Sequence, residues 1–248
     1  MTNKPQSGKH HYRDHLRQAW QKSSWQERPK QFSNDYIHGW NLIEEILNSI
    51  THGAGAIFGL IALALIIVKT LPDSSSWPLI SGTIFGLSIV AAFSISTVYH
   101  AVLYPPPKKI LKTLDHCSIF ALIAGTYTPF CLVTLREGWG WSIFTIIWGC
   151  ALLGIMLKLF YTNHFKYTSL ALYLIMGWFA GAISYQLIPH VPTEGLVLLL
   201  AGGLFYTFGV IFFIFEQVPF FHTIWHLFVL GGAVSHFLAI FIYALPQA

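Results

Sequence analysis

Seven apolar runs dominate this sequence, and each is long enough to cross a lipid bilayer. They cover residues 50–68, 79–103, 114–135, 139–157, 168–189, 195–215 and 220–244. A transmembrane helix needs about 20 mainly apolar residues. Only 10% of the 248 residues are charged, whereas soluble domains carry about 25%. The sequence therefore predicts an all-α, polytopic membrane protein in which residues 44–248 form a bundle of seven transmembrane helices.

The lysines and arginines outside these runs predict how the bundle is oriented. If the N-terminus is cytoplasmic, twelve of the 14 lysines and arginines lie on the cytoplasmic side, and only Lys69 and Arg136 lie on the other. Cytoplasmic loops are enriched in such residues, so we expect a cytoplasmic N-terminus in the cell membrane. Residues 1–43 are predicted to be a basic cytoplasmic segment, either a polar tail or a helix on anionic headgroups. Its charge favours membrane lipids as partners and not nucleic acid.

The polar residues inside the apolar runs are concentrated towards the cytoplasmic side. They are His52 in the first run, Ser96 and His100 in the second, Asp115 and His116 in the third, and His222 and His226 in the seventh. The outer half of the predicted bundle contains His236 of the seventh run, which lies deeper in the bilayer. Ionisable residues inside a membrane are costly, and they usually mark functional sites.

The spacing of these residues favours a metal centre. Ser96 and His100 are four residues apart, as are His222 and His226, so each pair lies on one face of its helix. Two histidines from one helix and a third from its neighbour give three ligands and an open fourth position, as in catalytic zinc sites. The arrangement predicts a metal at His100, His222 and His226.

Asp115 is expected to be the only carboxylate within the bundle, and it therefore needs a polar partner. A metal-bound water or a ligand imidazole would serve. Ordinary structural roles also fit these residues. Asp115 could accept backbone amides at the start of its helix, and Ser96 could be a small residue at a helix interface. His52, His116 and His236 could each be hydrogen-bonded structural residues.

Several motifs resemble the hemolysin III branch of the progestin and adipoQ receptor family, which includes the adiponectin receptors. The matching stretches are Glu45-x-x-Asn48-x-x-Thr51-His52, Ser96-Thr-Val-Tyr-His100, Leu114-Asp115-His116, Ala124-Gly-Thr-Tyr-Thr-Pro129 and Phe221-His222-Thr-Ile-Trp-His226. The resemblance implies seven helices, with His100, His222 and His226 as zinc ligands. It also implies that Ser96 and Asp115 lie beside the metal and its water.

Three kinds of function follow from these observations. The first is a zinc-dependent intramembrane hydrolase of a lipid amide or ester, because the wider superfamily implied by the resemblance contains alkaline ceramidases. In such an enzyme Asp115 would accept a proton, and Ser96 would orient water or substrate. The second is a non-enzymatic sensor or regulator of membrane state with a structural zinc. The third is a pore-forming cytolysin. A pore former requires a helix with a continuous polar stripe, and the sequence shows no such stripe.

Overall fold

The computed structural model describes residues 39–161 and 166–246, and these residues are helical almost throughout, without a β-strand. The helices are α1 (Gly39–Thr70), α2 (Ser76–Ala101), α3 (Pro105–Pro129), α4 (Gly140–Tyr161), α5 (Lys166–Ala182), α6 (Ser184–Leu187), α7 (Thr193–Ile214) and α8 (Phe221–Ala239). Wider π-helical turns, Phe130–Thr134 and Ile240–Ala244, extend α3 and α8. The predicted all-α fold is confirmed.

Six of these helices, α1 to α4, α7 and α8, are long and apolar enough to cross a membrane. The fifth predicted run forms the shorter helix α5 and, after a break, the single turn α6. Large apolar side chains also remain exposed on the outer face of α1, among them Ile57, Leu60 and Val68. Such a surface suits a lipid environment. The count of seven spans, the cytoplasmic N-terminus and the boundary between residues 43 and 44 stay predictions. Residues 1–38 lie outside the described part of the chain.

Two helices begin well before the predicted apolar runs. Helix α1 already includes Gly39, not residue 50, and α3 begins at Pro105, not residue 114. The three prolines at 105–107 precede the predicted run and form the first turn of α3. Proline is accepted in the first turn of a helix because the N–H groups there have no intrahelical acceptor.

The earlier start of α3 changes the interpretation of Asp115. Since the helix begins at Pro105, Asp115 lies in its third turn, where backbone amides are already bonded within the helix. The proposed role of Asp115 in capping the start of a helix is therefore wrong. His52 likewise lies several turns inside α1 and not at its start.

The break between α5 and α6 has a cause in α3. The Tyr127 hydroxyl accepts a hydrogen bond from the Ala180 N–H at 2.7 Å and lies 2.8 Å from the Met176 carbonyl oxygen, to which it can donate. In an uninterrupted helix, these two backbone groups would bond to each other. A side chain inserted into this ladder of hydrogen bonds is a known cause of kinks. Helix α5 ends two residues later, at Ala182.

Helices α1 and α2 pack closely because glycines lie where they cross. A Cβ atom added at Gly59 would lie 2.9 Å from Ile89 Cγ2, and one added at Gly86 would lie 3.1 Å from Leu63 Cα. Small residues allow such close approach between membrane helices. On the N-terminal side of this crossing, Glu45 and Ser49 of α1 contact the end of α2, where His100 lies.

Candidate metal centre

The structure brings His100, His222 and His226 together. One ligand nitrogen from each of them lies within 4.8 Å of the other two. His100 comes from the last turn of α2, and the other two come from the first turns of α8. The centroids of the three rings are 4.7 to 5.2 Å apart. This group can hold a metal ion, as the sequence predicts.

Helix α1 supplies the carboxylate that orients His100. Oε2 of Glu45 lies 2.8 Å from Nδ1 of His100, and Oε1 of the same carboxylate lies 3.0 Å from the Lys108 ammonium nitrogen. His100 and Lys108 are both buried. The expectation that Asp115 is the only carboxylate within the bundle is therefore wrong, because Glu45 also lies there and contacts a predicted ligand.

Helix α1 also orients His226. Nδ1 of His226 lies 3.2 Å from the Asn48 carbonyl oxygen and 3.3 Å from the Thr51 hydroxyl. The Asn48 side chain in turn accepts a hydrogen bond from Thr223, at 2.5 Å. Glu45 and Asn48 were not predicted as site residues, because the first apolar run begins only at residue 50. Their spacing to His52, i, i+3 and i+7, is the signal that would have put all three on one helix face.

The third histidine, His222, follows a strained residue. Phe220 immediately precedes α8 and has φ 66°; among the described residues it is the one non-glycine residue with positive φ. The Glu44 carboxylate lies close to the backbone N–H groups of Phe220 and His222. Nδ1 of His222 lies 3.5 Å from Glu216 Oε2. Left-handed backbone at a bulky residue is typical of functional sites.

These contacts fit a metal centre, because each histidine presents Nδ1 to an oxygen atom. Metal-binding histidines usually donate one ring N–H to a carboxylate or carbonyl, which leaves the other nitrogen for the metal. Nε2 of His100 is buried without a hydrogen-bond partner among the described residues. A nitrogen in that position is costly to bury unless it has a partner, and a bound metal ion would provide one.

Asp115 and Ser96 lie next to the three histidines. The Ser96 hydroxyl faces the Asp115 carboxylate, which is also within electrostatic range of His222. The hydroxyl is buried and lacks a hydrogen bond of normal geometry to any described residue. Both side chains line a cavity of about 580 Å³, which His222 and His226 also line.

The cavity extends from the histidine group towards the far end of α8. Its walls are mostly apolar, and His236 lines it together with Tyr206. His236 is ten residues from His226, which corresponds to about 15 Å along the helix. Nε2 of His236 bonds to the Leu199 carbonyl oxygen at 3.1 Å. His236 is therefore separate from the metal centre, and its hydrogen bond agrees with a structural role.

His52 and His116 also lie near the centre. The His52 ring stacks on the His226 ring with the centroids 3.5 Å apart, and neither His52 nitrogen has a hydrogen-bond partner in the described residues. His116 lines the cavity, and its carbonyl oxygen accepts a hydrogen bond from Tyr173 at 2.7 Å. Helices α1, α2, α3 and α8 thus each contribute side chains to this end of the cavity.

Comparison with known families agrees with the motifs. The model of the Haemolysin-III related family matches residues 40–237. The chain belongs to this family. It is 42% identical over 205 residues to Hemolysin-3 of Bacillus cereus, covering 83% of this chain and 94% of that protein. It is 40% identical over 200 residues to the Hemolysin-3 homolog of Bacillus subtilis, covering 81% of this chain and 94% of that protein.

This hemolysin III family member is also similar to a human protein, along most of the length of both chains. The chain is 34% identical over 212 residues to the human Monocyte to macrophage differentiation factor, covering 81% of this chain and 84% of that protein. No solved structure matches the chain. The predicted family is confirmed, and the family and the apolar helices together indicate a multi-pass membrane protein.

Proposed function

We propose that this protein is a zinc-dependent hydrolase that cleaves an amide or ester bond of a lipid in the cell membrane. One observation carries the proposal: the three-histidine group adjoins a mostly apolar cavity of about 580 Å³, and His222 and His226 line it together with Asp115 and Ser96. Ligand pockets commonly have volumes of about 300–1,000 Å³, with apolar walls and a few convergent polar groups. This cavity has those properties.

Zinc is the metal that best suits the donor atoms. His100, His222 and His226 would hold it, because imidazole suits zinc and three protein ligands are typical of catalytic zinc sites. Zinc bound there would supply an activated water and polarise a substrate carbonyl group. Two of these imidazoles are held in place at Nδ1. The His100 ring contacts the Glu45 carboxylate, and the His226 ring contacts the Asn48 carbonyl oxygen.

Asp115 is the residue that we assign as the general base. Its carboxylate lies beside the histidine group without belonging to it, so it can accept a proton from water and later return it to the leaving group. The Ser96 hydroxyl faces this carboxylate and would orient it, or donate to the substrate.

The remainder of the cavity suits an acyl chain. Each methylene group moved from water into an apolar environment stabilises the complex by about 0.8 kcal/mol. Gly177 and Gly181 line the cavity on α5, and apart from the adjacent backbone of α5 no heavy atom lies within 4 Å of a Cβ built at either position. We propose that membrane lipids enter and leave along this open part of the wall.

A second candidate function is a membrane regulator in which the zinc is structural. The stacking of His52 on His226 favours it, because a fourth imidazole beside three others could close the coordination sphere. A pore former is not supported by the described helices. Helix α7, for example, has charge only at Glu194, in its first turn.

Replacing Asp115 separates the two candidates. In a hydrolase, Asp115→Asn should leave zinc content and thermal stability nearly unchanged and lower turnover by about 10² to 10⁴, the contribution of general acid–base catalysis. The assay would measure fatty acid released from a panel of ceramides and glycerolipids by mass spectrometry. Asp73→Asn, in the connection after α1, is the matched control and should retain full activity. A zinc-loaded wild type without turnover on the whole panel would refute the hydrolase and favour the structural zinc.

A further inference from the structure

Beside the histidine group, the cavity wall carries a set of nitrogen-bearing side chains that the proposed chemistry does not use. They are Lys112 and His116 on α3 and Lys158 on α4, and we call them the cationic rim. The Lys158 side chain is only 4% exposed, although a lysine is rarely buried to this degree. Burying a cation at that position has a considerable desolvation cost, which nearby anionic groups must compensate.

The cationic rim adjoins the metal centre because of its spacing on α3. Lys112 precedes Asp115 by three residues and His116 by four, so these side chains lie on neighbouring parts of one helix face. His116 is within electrostatic range of both lysines and of His222, and Asp115 is within range of Lys112. A ligand that reaches Asp115 therefore also reaches the rim.

Negative charges at the same end of the cavity come from Asp115 and Glu216. They balance the two lysines, and Glu45 balances Lys108. With Glu44 beside His222 counted as well, a divalent ion on the three histidines leaves this end with an excess of one positive charge. The rest of the wall is mostly apolar. The complementary ligand is thus an amphiphile with an anionic group close to the bond that is cleaved.

We propose that the cationic rim binds the phosphate group of a membrane lipid whose acyl chain occupies the cavity. Two ammonium groups and an imidazole provide several donors for phosphate oxygens, and lysine commonly binds phosphate as a point charge. This inference rests on the proposed hydrolase and names its substrate class as phosphate-bearing lipids, whereas a ceramide has no charged group for the rim to bind.

A binding experiment with lipids that cannot be hydrolysed tests this class independently of turnover. The probes are 1-O-hexadecyl-glycerol 3-phosphate and 1-O-hexadecyl-glycerol, two ethers that differ only in the phosphate. Their affinities for the zinc-loaded protein would be measured in neutral detergent by microscale thermophoresis. We expect the phosphate-bearing ether to bind at least tenfold more tightly.

Variants of the rim should remove this preference without removing binding. Lys158→Gln should weaken the phosphate-bearing ether about tenfold, the effect of losing one charge-assisted hydrogen bond, and leave the neutral ether unchanged. Lys112→Gln should act in the same direction, with a smaller effect because its side chain is exposed. Lys109→Gln is the control, since Lys109 is an exposed lysine of the same helix that does not line the cavity.

Each remaining outcome decides the question. Equal affinity of the two ethers for the wild type, or an unchanged preference in Lys158→Gln, would overturn the phosphate site even if a neutral lipid is hydrolysed. If the preference is present and depends on Lys158 but no lipid is cleaved, the phosphate site stands and the hydrolase falls. Millimolar inorganic phosphate should compete only weakly. If it displaced the ether fully, the site would be one for free phosphate and the lipid assignment would be wrong.

Discussion

Glu45 offers a sharp test of the metal centre, because it contacts a predicted ligand without being one. Its carboxylate lies 2.8 Å from Nδ1 of His100 and 3.0 Å from the Lys108 ammonium nitrogen. In Glu45→Gln the amide oxygen can still accept from the imidazole, but the charge is lost. A hydrogen bond to a charged group contributes about 1.5–3 kcal/mol and a neutral one about 0.5–1.5 kcal/mol. The difference, roughly 1–1.5 kcal/mol, corresponds to about tenfold in zinc affinity.

The affinity would be measured by competition with a chromophoric chelator on the purified protein in detergent. Glu45→Ala removes both contacts and should lower zinc affinity further, up to about 100-fold, the upper range for residues that support a metal ligand. Glu137→Gln, an exposed carboxylate in the connection before α4, is the control and should bind zinc like the wild type. Wild-type affinity in Glu45→Ala, with helical content preserved in circular dichroism, would refute the assignment of His100 as a ligand held by Glu45.

Three further predictions address the ligand set, the topology and the packing. His226→Ala should lower the zinc content of purified protein from about one equivalent per chain to nearly none in elemental analysis, and retained zinc would contradict its role. A reporter fused after Ala248 should be extracytoplasmic, from the charge bias, and a cytoplasmic signal would contradict the orientation. Gly202→Ala should lower the free energy of unfolding by roughly 1–3 kcal/mol, because its Cβ would overlap the His236 ring. Gly177→Ala, which meets open space, should not destabilise, and equal loss in both would refute the packing argument.

The sequence was sufficient for the family, the helical class and the three-histidine group. Hydrophobic length locates membrane helices because the bilayer requires each span to satisfy its own backbone. The spacing of four between His222 and His226 puts both on one face in any helix. A third ligand from a neighbouring helix, His100, followed from its position near the end of α2.

The helix starts and the outer contacts of the metal centre could not be read in the same way. Hydrophobicity marks the part of a helix that lies in the bilayer, and α1 extends beyond it through polar residues such as Glu45 and Asn48. The break in α5 was hidden for a different reason. It depends on a hydrogen bond from Tyr127, 53 residues away from Ala180, and no local pattern in α5 reports a side chain inserted from another helix.

The most direct test of the proposed centre is X-ray absorption spectroscopy at the zinc edge, on the purified wild-type protein. The proposal predicts three imidazole nitrogens at about 2.0–2.1 Å and one further oxygen ligand, the signature of a site with an exchangeable position. His52→Phe, which keeps an aromatic ring next to His226, should leave this spectrum unchanged. Four imidazole ligands in the wild type, reduced to three in His52→Phe, would contradict the open catalytic centre and identify a closed structural site.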